Sequence, residues 1–168
     1  MPESTLHDAL RKRFRVPAGL IAMEVAPRGP YVAAIDFRRV ADRDIADEYE
    51  PPFWLQVGLM LREEETLLEC VTAWIGQRKL GHHGNITEDA NVVLFSRTTG
   101  IHTVVDVLFM FDGAHVALLE VGLLSENYDA FRAEAFGLAL ARWTYGLDVR
   151  CPVIPSDAGI RAGKFDAA

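Results

Sequence analysis

The sequence predicts an α+β domain: an antiparallel β-sheet packed with two long amphipathic helices, plus a short N-terminal helix. Three observations predict it. Apolar residues alternate with period two between turn signals, most cleanly from 53 to 62. Two segments, 66–80 and 126–145, carry apolar residues at helical spacing. The pair Asp112-Gly113 sits between two β-branched and aliphatic runs, which marks a tight hairpin.

The elements follow in order. Residues 4–15 read as the short helix, with Ser4 or Thr5 as cap and Leu6, Leu10 and Phe14 on one side; Pro17 and Gly19 end it. Residues 20–25 and 31–39 read as strands joined by a Pro- and Gly-containing turn at 26–30. Residues 41–52 are an acidic connection ending in Pro51-Pro52. In the strand 53–62, Phe53, Leu55, Val57, Leu59 and Leu61 share one face, and Trp54, Gln56, Gly58 and Met60 the other. Glu63, Glu64 and Glu65 then lead a helix over 66–80, striped by Leu67, Val71 and Trp74 and stopped by Gly81. A strand over 86–96 and a turn at 97–100 bring the chain to the hairpin.

A two-residue loop at Asp112-Gly113 would place Phe109 opposite Val116, Val107 opposite Leu118 and Val105 opposite Glu120. One face then carries Val105, Val107, Phe109, Phe111, Val116 and Leu118. The second carries Val104, Leu108, Met110, Ala117, Leu119, Val121 and Leu123, with Asp106 and His115 among them. Both faces are apolar, so something must cover the second: a helix of this chain, a second copy or a partner. The final helix starts from Ser125 as N-cap, with a stripe of Tyr128, Phe131, Ala135, Leu138 and Ala139 widened by Phe136, Leu140 and Trp143, and Gly146 stops it. Its Arg132 and Arg142 either lay their stems along apolar surface or pair with Asp106 or Glu120. Residues 1–146 are read as one domain and 147–168 as a tail.

Composition narrows the function. A net charge of −7 with no long basic block argues against a nucleic-acid partner. Cys70 and Cys151 are too few for a disulfide framework and fit free thiols in a reducing compartment. The N-terminal stretch has no apolar signal region and no run approaches a membrane span, so the expected location is the cytoplasm. The acids Asp42, Asp44, Asp47, Glu48 and Glu50 lack the order and glycine of a calcium loop, and His82-His83 lack a third ligand of recognisable spacing. No metal and no cofactor is expected. No nucleophile, phosphate-loop or dinucleotide motif is present, and the one acid–base couple to weigh is Asp106 with His115.

From Phe53 to about Tyr145, the strand PFWLQVGLML, the acid-led helix EEETLLECVTAWIGQRKL, three antiparallel strands turning at FDGAHVALLEVGL and a helix at SENYDAFRAEAFGLAL resemble the PsbP/Mog1-like fold, including the DcrB/DUF1795 group. The resemblance implies a non-enzymatic binding module, closest in logic to Eag-type secretion chaperones that hold apolar segments of effectors. The expectation is therefore a cytosolic chaperone or adaptor whose partner carries an apolar segment, with Trp54, Met60, Leu108, Met110, His115, Leu119 and Val121 as its binding face. A homodimer through that face is expected as well. The alternatives are a small enzyme using Asp106 and His115, or a structural subunit of a larger assembly.

Overall fold

The computed structural model describes residues 3–25, 29–42, 51–81, 83–89, 91–146 and 150–155. The elements in chain order are α1 (Glu3–Arg13), β1 (Leu20–Glu24), β2 (Tyr31–Arg39), β3 (Trp54–Leu61), α2 (Leu67–Arg78), β4 (His83–Asp89), β5 (Val92–Thr99), β6 (His102–Met110), β7 (His115–Leu124) and α3 (Ala130–Thr144). A short 3-10 turn, Val40–Asp42, follows β2. The strands form one seven-stranded antiparallel sheet in the order β1-β2-β3-β7-β6-β5-β4. The fold is α+β, a sheet with three helices of 11, 12 and 15 residues.

Pairing separates what the sequence merged. The run 86–96, read as one strand, is the end of β4 and the start of β5, because Asp89 pairs directly with Val92. His83 opens β4 rather than lying in a loop, and His82 lies outside the described residues, as does most of the acidic connection (43–50).

The central hairpin also differs. Met110 pairs with Val116, Leu108 with Leu118 and Asp106 with Glu120, one residue away from the expected register. The reason is the loop, which has three residues. Phe111 N–H donates to the His115 carbonyl (3.1 Å). The Asp112 carboxylate accepts from the N–H groups of Ala114 and His115, both at 2.8 Å. Lys79 is the one non-glycine residue at positive φ among those described, and Gly113 is absent from the positive-φ glycines, so a type I′ turn does not form here. The tight two-residue turn lies instead at Gly100-Ile101, where Gly100 has φ 58° and Thr99 pairs with His102.

The helix ends are set by local capping. Thr66 is the N-cap of α2: its hydroxyl accepts from Glu69 N–H, and the Glu69 carboxylate accepts from Thr66 N–H (3.1 Å). At the other end Lys79, at φ 53°, takes the left-handed position the sequence assigned to Gly81, and Leu80 N–H reaches the Ile75 carbonyl (3.0 Å). Asp129, not Ser125, caps α3, accepting from Arg132 N–H at 2.8 Å. Ser125 instead meets the Thr103 hydroxyl at 3.0 Å.

Two unequal cores flank the sheet. The larger lies under α1 and α3. It gathers Ile35, Phe37, Leu55, Val57, Leu59, Val105, Val107, Phe109, Leu119 and Val121 with Leu10, Phe14, Ala133, Leu140 and Ala141. The smaller lies under α2, where Val71 and Trp74 meet Met60, Val93, Phe95, Leu108, Val116 and Leu118. The buried face of α3 is mostly small, Ala133, Gly137, Ala141 and Thr144 with Leu140; Tyr128, Phe136 and Leu138 of the expected stripe pack partly buried beside it, whereas Phe131 is 82% exposed. Close approach explains it. A Cβ at Gly137 would come within 2.8 Å of Val105 Cγ1, so α3 lies nearly on the sheet. At its end, Arg13 and Arg15 stack on Tyr145 and Trp143 and tie α1 to α3. Of the tail, Cys151 and Ile154 pack against the larger core, and Arg39 Nη1 donates to the Pro155 carbonyl (3.4 Å).

Candidate functional site

The sheet face beneath α2 collects most of the residues singled out from the sequence. Trp54, Met60, Leu108 and Met110 belong to it by strand alternation and register. Leu119 and Val121 do not. The shifted hairpin register turns them to the other face, where both are fully buried beneath the α1 and α3 layer. His115 shares their face by alternation along β7, and its Nδ1 lies 2.9 Å from Asp112 Oδ1.

The cover that the second face requires is in large part α2. Leu108 is fully buried in the core beneath it, together with Phe95, Val93 and Leu118. The covering leaves two features. At one end, between α2 and the adjoining ends of β3 and β7, is a cleft of about 160 Å³. Met60, Val116, Trp74 and Ala73 contribute apolar surface, and Leu61 at its edge is 59% exposed. Glu63 and Glu64 add negative charge to the same lining. Cys70 also reaches the cleft, but partial burial pushes its thiol above the ordinary value, so it is a poor nucleophile.

Further along the same face runs a polar row. The register sets Asp36, Gln56, Glu120 and Asp106 side by side across β2, β3, β7 and β6. Arg97 on β5 bridges the last two: Nε donates to Asp106 Oδ2 (3.3 Å) and Nη2 to Glu120 Oε2 (3.0 Å). Trp54 Nε1 donates to Glu120 Oε1 (3.4 Å), its ring filling the space over Gly122. Asp36 is held by Arg38 at 2.8 Å. Burial raises the Asp106 carboxyl well above its ordinary value, and the Glu120 charge adds to this more than Arg97 relieves it. Tyr31, whose ring covers Gly58, is likewise pushed far up, by burial first and then by Glu120 and Asp106. It is a neutral phenol at every physiological pH.

The couple proposed from sequence, Asp106 with His115, is not brought together: the two lie on opposite faces, and each has another partner. Arg132 and Arg142 do not meet the carboxylates either. Arg132 lies over the Tyr128 ring, and Arg142 Nη1 donates to Asp89 at 2.9 Å. The cation that joins Asp106 and Glu120 is Arg97, which the sequence reading placed in a turn. Its signal was available, since Val93, Phe95 and Arg97 alternate onto one face. His102 sits buried on the same face with Nε2 3.1 Å from the Pro51 carbonyl and its ring against Trp54. Asp42 pairs with Arg39 inside the fold. Among the described residues, no three His, Cys, Asp or Glu side chains are grouped to hold a metal ion, and no helix is long and apolar enough to cross a membrane. Comparison with protein-family models, curated proteins and solved structures returns no match.

Proposed function

We propose that the chain is a protein-binding module, an adaptor or chaperone of the cytoplasm, and that it holds an apolar segment of its partner at the cleft beside α2. The observation that supports this best is the cleft itself. It joins an apolar floor of Met60, Trp74 and Val116 to the exposed Leu61 and to two carboxylates. Such a site suits a large apolar side chain followed or preceded by Lys or Arg: burial of the anchor supplies affinity, and the acids supply specificity and encounter rate. The resemblance to the PsbP/Mog1-like chaperones agrees with this reading. Catalysis is the weaker reading, because Asp106 is 0% exposed and cannot touch a substrate atom.

Peptides carrying Leu or Phe beside paired lysines, read by fluorescence anisotropy, test the proposal. Binding is expected, weakening severalfold between low and physiological salt and about tenfold or more in Leu61→Asp, a surface change that spares the fold. Indifference of the wild type to such peptides, or equal affinity in the variant, would overturn it. A homodimer closing the same cleft would appear in light scattering as a doubled mass lost in Leu61→Asp.

A further inference from the structure

We infer that Asp106 keeps its proton in the folded protein and donates it to Glu120, so that β6 and β7 are joined on this face by a carboxylic acid–carboxylate hydrogen bond. The argument begins with register. Asp106 and Glu120 are direct cross-strand partners, a position where two like charges are unfavourable. Asp106 is fully buried, and its Oδ1 meets no hydrogen-bond donor, although a buried carboxylate oxygen needs one. Oδ2 has Arg97, but that guanidinium is shared with Glu120. Two carboxylates and one cation would leave an uncompensated negative charge inside the sheet layer. One proton removes the charge and turns an orphaned acceptor into a donor on the residue paired with Glu120.

The surroundings do not supply an alternative. Glu120 from β7 disfavours a negative Asp106, and the Tyr31 phenol from β2 is neutral and brings no compensating charge. Arg97 from β5 favours it, with less effect than burial. Arg78 of α2 is a second cation of this neighbourhood and acts on Tyr31. Gln56 and Trp54 from β3 are uncharged, and His102 on β6 itself is engaged at the Pro51 carbonyl. A carboxyl whose folded value lies above its unfolded value binds its proton more tightly in the native state. Its contribution is therefore full below the ordinary carboxylate value, about 3.9, and is lost as pH rises through the raised one. In that interval the unfolding equilibrium constant rises about tenfold per pH unit for the single proton.

Carbon-13 NMR of the Asp106 carboxyl in the native protein tests this without a substitution. The signal is expected to hold the protonated position well past the pH at which exposed aspartates have ionised, and Glu120→Gln is expected to shift its midpoint downward. In Asp106→Asn, whose amide can donate to Glu120 in the proton's place, the pH dependence of unfolding is expected to flatten by about one proton. A wild-type Asp106 signal that titrates with the exposed aspartates would overturn the inference. So would an unaltered pH profile in a folded Asp106→Asn. If that variant does not fold, the wild-type titration still decides.

Discussion

The carboxylate of Asp112 accepts two backbone N–H groups and the His115 ring, and these bonds close a three-residue loop where a two-residue one would also have fitted the sequence. Slight burial pushes this carboxyl up, but the donors of Ala114 and His115 outweigh it, so it sits below its ordinary value. The bonds contribute stability above the ordinary carboxylate range, lost as pH falls through the folded value. Asp112→Ala is expected to cost about 1 kcal/mol near neutral pH in urea denaturation, a loss that shrinks towards zero in strong acid. An equal loss at both pH values would mean that the carboxylate's charge is not what holds the turn. The same residue shows where sequence reading stops. Asp-Gly announced a hairpin correctly, but the choice between a backbone-strained pair and a side-chain-capped triplet depends on competing hydrogen bonds. That choice moved every later residue of β7 to the opposite face.

Existence of the elements, β4 apart, was the legible part, because periodicity depends on burial, and the sheet buries both faces. Strands β2 and β3 and helix α2 fall within a few residues of their expected limits, and β7 lies where the hairpin required it. The facing of α3 was not legible. Counting large apolar residues turned the helix towards Phe131, whereas a helix lying nearly on a sheet buries its smallest side chains. At Gly137 that contact is too close for a side chain. Gly137→Ala would gain helix propensity of about 1 kcal/mol. It must also move the stiff β-branched Val105, which lies in the core and cannot swing away, at a cost of about 1–3 kcal/mol. The net expectation is a lower thermal midpoint with no change in helix content by circular dichroism. A raised midpoint would show that α3 has slack against the sheet.

At the scale of the whole molecule, the two sides of the sheet differ in what they can spare. The side beneath α1 and α3 holds most of the buried apolar residues, while α2 covers a smaller cluster beside a charged row and an open cleft. Sequence alternation alone could not assign these roles, because it marked both faces as apolar and left the register to a turn. The distinction can be measured with two leucines changed in the same way. Leu119 is fully enclosed, so Leu119→Asp loses the transfer energy of a leucine and strands a carboxyl without a partner, together more than about 5 kcal/mol. That is comparable with the entire stability of a domain this size, about 5–15 kcal/mol, and the variant is expected to be unfolded or insoluble. Leu61 is 59% exposed at the cleft, and Leu61→Asp is expected to shift the urea midpoint by no more than about 0.5 kcal/mol in equivalent stability. Circular dichroism and denaturant titration of the pair check both values. A folded Leu119→Asp would move the main core away from the α1 and α3 side. A collapsed Leu61→Asp would make the cleft part of the packing, and with it would go the reason for assigning the partner to that end of the sheet.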